Sequence, residues 1–71
     1  MITVGRLAKR FGLSRSTLLY YDSIGLLRPT GRSAKGYRLY SEDDAARLEK
    51  ICLYRQTGLS LDEVLVENRF S

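Results

Sequence analysis

Apolar residues recur every third or fourth position along most of this chain, in runs separated by short breaks rich in glycine and serine. Val4, Leu7, Ala8 and Phe11 fall at i, i+3, i+4 and i+7, which is one stripe on a helix. Thr3 stands where an N-cap is needed, Ile2 and Leu7 can staple the entry, and Gly12 can take the positive φ that ends a helix. A second helix opens on Ser14, repeats the staple with Leu13 and Leu18, and runs through Tyr20, Tyr21 and Asp22 to a stop near Gly25. Only Gly12-Leu13-Ser14 separates the two, so they cannot fold back antiparallel over any length. They must cross steeply, as in a helix-turn-helix. With Leu18 turned inward, Ser16 and Tyr20 point most directly outward at ~100° per residue, flanked by Thr17 and Leu19, while Tyr21 lies nearer the Leu18 side.

After the apolar connector Ile24-Gly25-Leu26-Leu27-Arg28-Pro29, the period changes to two. Thr30-Gly31-Arg32 and Tyr37-Arg38-Leu39-Tyr40 read as short strands around Ser33-Ala34-Lys35-Gly36, with Gly36 supplying an unusual φ. Tyr37 and Leu39 share one face, Arg38 and Tyr40 the other; either could be the core face, and Tyr40 is expected to be structural. A lone hairpin is marginal in water and must lean on the helices. Ser41 caps a third helix, with Glu42, Asp43 and Asp44 complementing its dipole and Ala45, Leu48, Ile51 and Cys52 facing inward, and Gly58 ends it. Ser60 with Glu63 forms a capping box for a short fourth helix carrying Leu61, Val64 and Leu65. The expected fold is mainly α, a winged helix-turn-helix over residues 1–71. It comprises a two-helix unit at about 3–24, a short two-stranded β wing at about 29–40, and two further helices at about 42–57 and 61–67.

A chain of 71 residues makes one small domain with a marginal core and little room for a deep pocket. Histidine is absent, and no apolar run approaches the ~20 residues that span a bilayer. The start lacks the build of a signal peptide, and a single cysteine forms no internal disulfide, so the cytoplasm is the expected location. Cys52 reads as a small buried hydrophobe, since a metal site needs several ligands. No nucleophile stands beside a base, no glycine-rich phosphate loop occurs, and Ser41 with Asp44 is a cap rather than a dyad. Neither an enzyme nor a cofactor is expected.

The net charge of +4 is unevenly spread. Residues 1–40 carry eight basic side chains against one acid, Asp22; residues 41–71 carry four against seven acids. A positive half is built to meet a negative partner, which leaves nucleic acid, an anionic membrane surface or an acidic protein. The outward face of the second helix narrows the choice. Arg15, Ser16, Thr17, Leu19 and Tyr20 lack the Glu and Lys of a solvated face and expose a ring. Arginine bonds guanine edges or phosphate, hydroxyls bond either, and leucine meets a thymine methyl. Arg32 and Lys35 at the hairpin tip, with no acid between Asp22 and Tyr40, suit contact with the sugar-phosphate backbone or minor groove.

Five stretches carry a resemblance in order and spacing: Val4-Gly5-Arg6-Leu7-Ala8, Leu13 to Asp22, Ile24 to Pro29, Gly36 to Tyr40, and Gly58 to Val64. Together they resemble the N-terminal DNA-binding domain of the MerR family of transcription regulators over essentially the whole chain. The resemblance implies a homodimer that binds double-stranded promoter DNA, bending and untwisting an overlong spacer so that RNA polymerase can engage both elements. By position it implies recognition-helix contacts at Arg15, Ser16, Thr17, Tyr20 and Tyr21, with Leu19 on the same helix, and wing contacts at Arg32, Lys35, Tyr37 and Arg38. The family pattern has Arg where Leu19 stands and often another where Ser16 stands, which bears on the operator sequence but not on the binding mode. The family's dimerisation helix and effector domain do not appear, so the chain is expected to be a fragment, a monomer by itself. Two rival readings share the basic hairpin. An excisionase-like architectural factor would bend DNA without a long dimerisation helix, and a winged domain repurposed to bind protein would show no salt-dependent DNA affinity.

Overall fold

The computed structural model describes residues 1–58, 60 and 62–65. The helices begin where capping side chains stand. Helix α1 (Val4–Phe11) follows Thr3, whose hydroxyl accepts from the Arg6 N–H at 3.3 Å, and it closes on Gly12 at φ 67°. Helix α2 (Arg15–Ser23) follows Ser14, whose hydroxyl accepts from the Thr17 N–H at 3.1 Å. Each cap satisfies a backbone donor that the helix itself cannot. A longer helix, Glu42–Gln56, opens further along in a reciprocal box between Ser41 and Asp44, with bonds of 2.9 and 3.1 Å. Ser60 and Glu63 repeat that exchange at 3.3 and 3.2 Å, ahead of a helical stretch over 62–65. Leu61 and the expected end of this helix at 66–67 lie outside the described residues.

The sheet departs from the sequence expectation. The expected wing pair is present but is not the whole sheet. In chain order the strands are β1 (Ile2–Thr3), β2 (Gly31–Arg32) and β3 (Arg38–Tyr40), arranged β1-β3-β2 and antiparallel throughout. Gly31 lies opposite Leu39 and Arg32 opposite Arg38, while on the other edge Ile2 lies opposite Tyr40 and Thr3 opposite Leu39. The N-cap conformation of Thr3, φ −72° and ψ 157°, is already that of a strand. Its approach to α1 can therefore pair with the edge of β3 that would otherwise be left open. At the wing turn Gly36 takes φ 84°, where an L side chain would be strained.

The ambiguous period of β3 resolves with Tyr40 wholly buried and Tyr37 exposed. Tyr40 shares one buried core with Leu7 of α1, Leu18 of α2, Leu26 and Leu27 of the connector, and Leu48 and Ile51 of the long helix, α3 (Glu42–Gln56). Among the described residues one charged group enters this interior. Asp44 is 4% exposed, and its carboxylate accepts from the Ser41 N–H and the Thr30 hydroxyl, so it joins the start of α3 to the root of the wing. Cys52 lies half-buried at the margin of the core, and burial pushes its thiol pKa up.

Candidate nucleic-acid interface

The two adjacent tyrosines of α2 part company. Tyr20 is 52% exposed, whereas Tyr21 is 6% exposed and belongs to the core, three residues from Leu18 on the same side of the helix. Burial pushes the Tyr21 phenol above its ordinary value, with Arg55 acting the other way. Tyr21 was expected as a recognition contact; the helical phase turns it inward instead. Arg15, Ser16, Leu19 and Tyr20 share the exposed face. Thr17 is half-buried, and its hydroxyl lies 2.9 Å from that of Ser14, so it contributes to the cap.

The wing residues also divide. Lys35 and Tyr37 are exposed. Arg32 is exposed but donates from Nη1 to the Gly36 carbonyl at 3.1 Å, bracing the turn it was expected to decorate. Arg38 is half-buried and donates from Nε to Asp22 Oδ2 at 2.8 Å, which ties the wing to the last turn of α2. Asp22 thus has a structural task that sequence reasoning missed. The available signal was its position as the one acid among forty residues rich in cations.

Helix and wing meet across the first turn of α1. A cleft of about 250 Å³ there is lined by Thr3, Val4, Gly5 and Arg15 on the helical side and by Ser33, Tyr37, Arg38 and Leu39 on the wing side. The fold therefore gathers three of the expected site residues, Arg15, Tyr37 and Arg38, into one place. Ser16, Leu19 and Tyr20 lie on the open face of α2, and Lys35 stands at the wing turn. Among the described residues only Arg10–Glu42 and Arg38–Asp22 form ion pairs. Arg6, Lys9, Arg15, Arg28, Arg32 and Lys35 face no acid at bridging distance there, so the positive charge of this half is not neutralised internally. Among the same residues no group of three or more His, Cys, Asp or Glu could hold a metal, and no helix is long and apolar enough to cross a membrane.

A short helix with an exposed face, following a first helix after a three-residue turn and flanked by a basic hairpin, defines a winged helix-turn-helix DNA-binding domain. The chain belongs to the MerR family: residues 2–65 match the MerR HTH family regulatory protein domain. It is 51% identical over 63 residues to an HTH-type transcriptional regulator of Pseudomonas aeruginosa, covering 89% of this chain and 48% of that protein. The N-terminal part of MtaN, the Bacillus subtilis multidrug transporter activator, superposes with a TM-score of 0.89 at 40% identity, covering 92% of this chain and 61% of that one. HiNmlR, a MerR family regulator lacking the sensor domain and bound to promoter DNA, gives 0.84 at 31%, covering 96% and 54%. The chain therefore spans about half the length of such relatives, and it is the DNA-binding domain of a MerR-family transcriptional regulator.

Proposed function

We propose that this domain binds double-stranded promoter DNA as one half of a homodimer, with α2 in the major groove and the wing on the flanking backbone. The paired domains distort the duplex, and RNA polymerase is served indirectly, through the shape of the promoter. The site of action is the cytoplasm, and the task is binding rather than catalysis. The observation that carries this reading is the junction of α2 and wing. Its exposed polar and apolar groups suit base edges, while Arg15 beside them has no acidic partner among the described residues, Arg38 alone being paired, with Asp22. The similarity to HiNmlR, whose structure holds promoter DNA, supports the same mode.

The test is a salt titration of this chain against a pool of random duplexes, alone and joined to a dimerising coiled coil. About four phosphate contacts, each contributing a slope of about −0.9, give an affinity that falls steeply with salt. Linking two copies should tighten binding and enrich an inverted repeat, because the second half-site is then met at high effective concentration. Salt-dependent binding without enrichment would instead mark an architectural factor, and absence of binding a protein-interaction module.

A further inference from the structure

Gly12, Gly25, Gly36 and Gly58 take positive φ, where the backbone itself asks for glycine. Gly5 does not. It lies in the first turn of α1, where alanine would suit the backbone better. Its distinction is spatial: a Cβ built there would stand 2.9 Å from Nη2 of Arg15, 3.1 Å from Nε and 3.3 Å from Cζ. Nothing comparable crowds Gly31, whose nearest neighbour is the Met1 Cε at 3.7 Å. The space left by the missing side chain of Gly5 is filled by a guanidinium.

That guanidinium belongs to the first residue of α2, a position from which arginine could extend along the groove. It lies back against α1 instead, in the cleft whose other wall is Ser33, Tyr37, Arg38 and Leu39. No acid lines this cleft. Across it Arg38 already has Asp22, whereas the Arg15 side chain makes no hydrogen bond or ion pair with any described residue. The open face of α2, where a base edge would be approached, is left to Ser16, Leu19 and Tyr20. A planar group with five donors, held without an internal partner between two DNA-contacting elements, matches the oxygens of a phosphodiester.

We propose that Arg15 takes a backbone phosphate in the cleft between α1 and the wing instead of reading a base, and that Gly5 is the positioning residue that holds it there. This deepens the DNA-binding reading above and rests on it. The cleft then joins helix and wing through one phosphate, and the register of α2 in its groove is set by Gly5 as well as by α2 itself.

The experiment compares the parent with Gly5→Ala, Arg15→Ala and the double variant. Each is titrated over a salt series against the enriched duplex and a scrambled duplex, alongside thermal unfolding. The added methyl meets the end of a flexible side chain, so the fold yields by displacing Arg15 and keeps its stability. Gly5→Ala should melt no lower than the parent yet bind both duplexes about three- to tenfold more weakly, with a salt slope smaller by about one. Arg15→Ala should do the same, and the double variant should be no worse than Arg15→Ala alone. The proposal is overturned if Gly5→Ala binds like the parent, if its loss adds to that of Arg15→Ala, or if Arg15→Ala weakens only the enriched duplex, as a base reader would. A parent that binds neither duplex overturns the DNA reading and this proposal with it.

Discussion

Replacing Asp22 with alanine should move stability and DNA affinity in opposite directions. In the native domain Asp22 Oδ2 accepts from Arg38 Nε at 2.8 Å, with the two side chains 17% and 32% exposed. A charge-assisted hydrogen bond contributes about 1.5–3 kcal/mol to stability. About a third of the Arg38 side chain still reaches water, so its guanidinium partly re-solvates once the carboxylate is gone, and the loss should fall near about 1.5 kcal/mol. For a domain of this size each kcal/mol moves the midpoint by about 4–8 °C, so Tm should drop by about 6–12 °C. The same change strips the sole acid from residues 1–40, so affinity for non-specific duplex DNA should rise at low salt. Circular-dichroism melts of Asp22→Ala, Arg38→Ala and the double variant isolate the pair, with a coupling of about 1 kcal/mol expected. A coupling within about 0.3 kcal/mol of zero would show that the bond does not fasten wing to helix, and the reasoning would be refuted.

Two further outcomes follow from groups inside the core. Asp44→Ala removes the acceptor for the Ser41 N–H and the Thr30 hydroxyl in a site closed to water, and should cost about 2 kcal/mol in urea unfolding. A loss below about 0.5 kcal/mol would mean that water replaces the carboxylate there. In alkali, burial raises Tyr21 and Tyr40 above their ordinary 10.0 and Cys52 above its ordinary 9.0. The fold favours the protonated form of each, so their contribution is complete below those values and is lost as pH rises past them. Melts between pH 7 and pH 11 should show a midpoint falling above about pH 9, and a flat profile would contradict the assignment of burial as the cause.

Much of the fold was legible because its punctuation is local. Thr3, Ser14, Ser41 and Ser60 act through hydrogen bonds to residues three positions on, which a linear reading can see. The opposed directions of Tyr20 and Tyr21 were likewise implicit in the helical period, although it took the packed helix to place Tyr21 in the core. Strand β1 escaped notice because two residues carry no period, and its pairing depends on an edge of β3 that exists only once the chain has folded. The same holds for Asp22 with Arg38 and for Asp44 with Thr30, which lie 16 and 14 residues apart and meet through tertiary packing. Arg15 illustrates the limit most clearly. Its residue type pointed to a charged ligand, but a sequence contains no sign that its neighbour in space is Gly5.

The position of β3 between β1 and β2 has a mechanical consequence. A two-stranded wing could swing about its root, but here β3 is also paired along its other edge to β1, and Arg38 anchors it to α2. The wing is thus tied to the rest of the domain at two separate places, the β1 pairing and the Asp22–Arg38 bond. Any swing of the wing relative to α2 would have to break both ties at once.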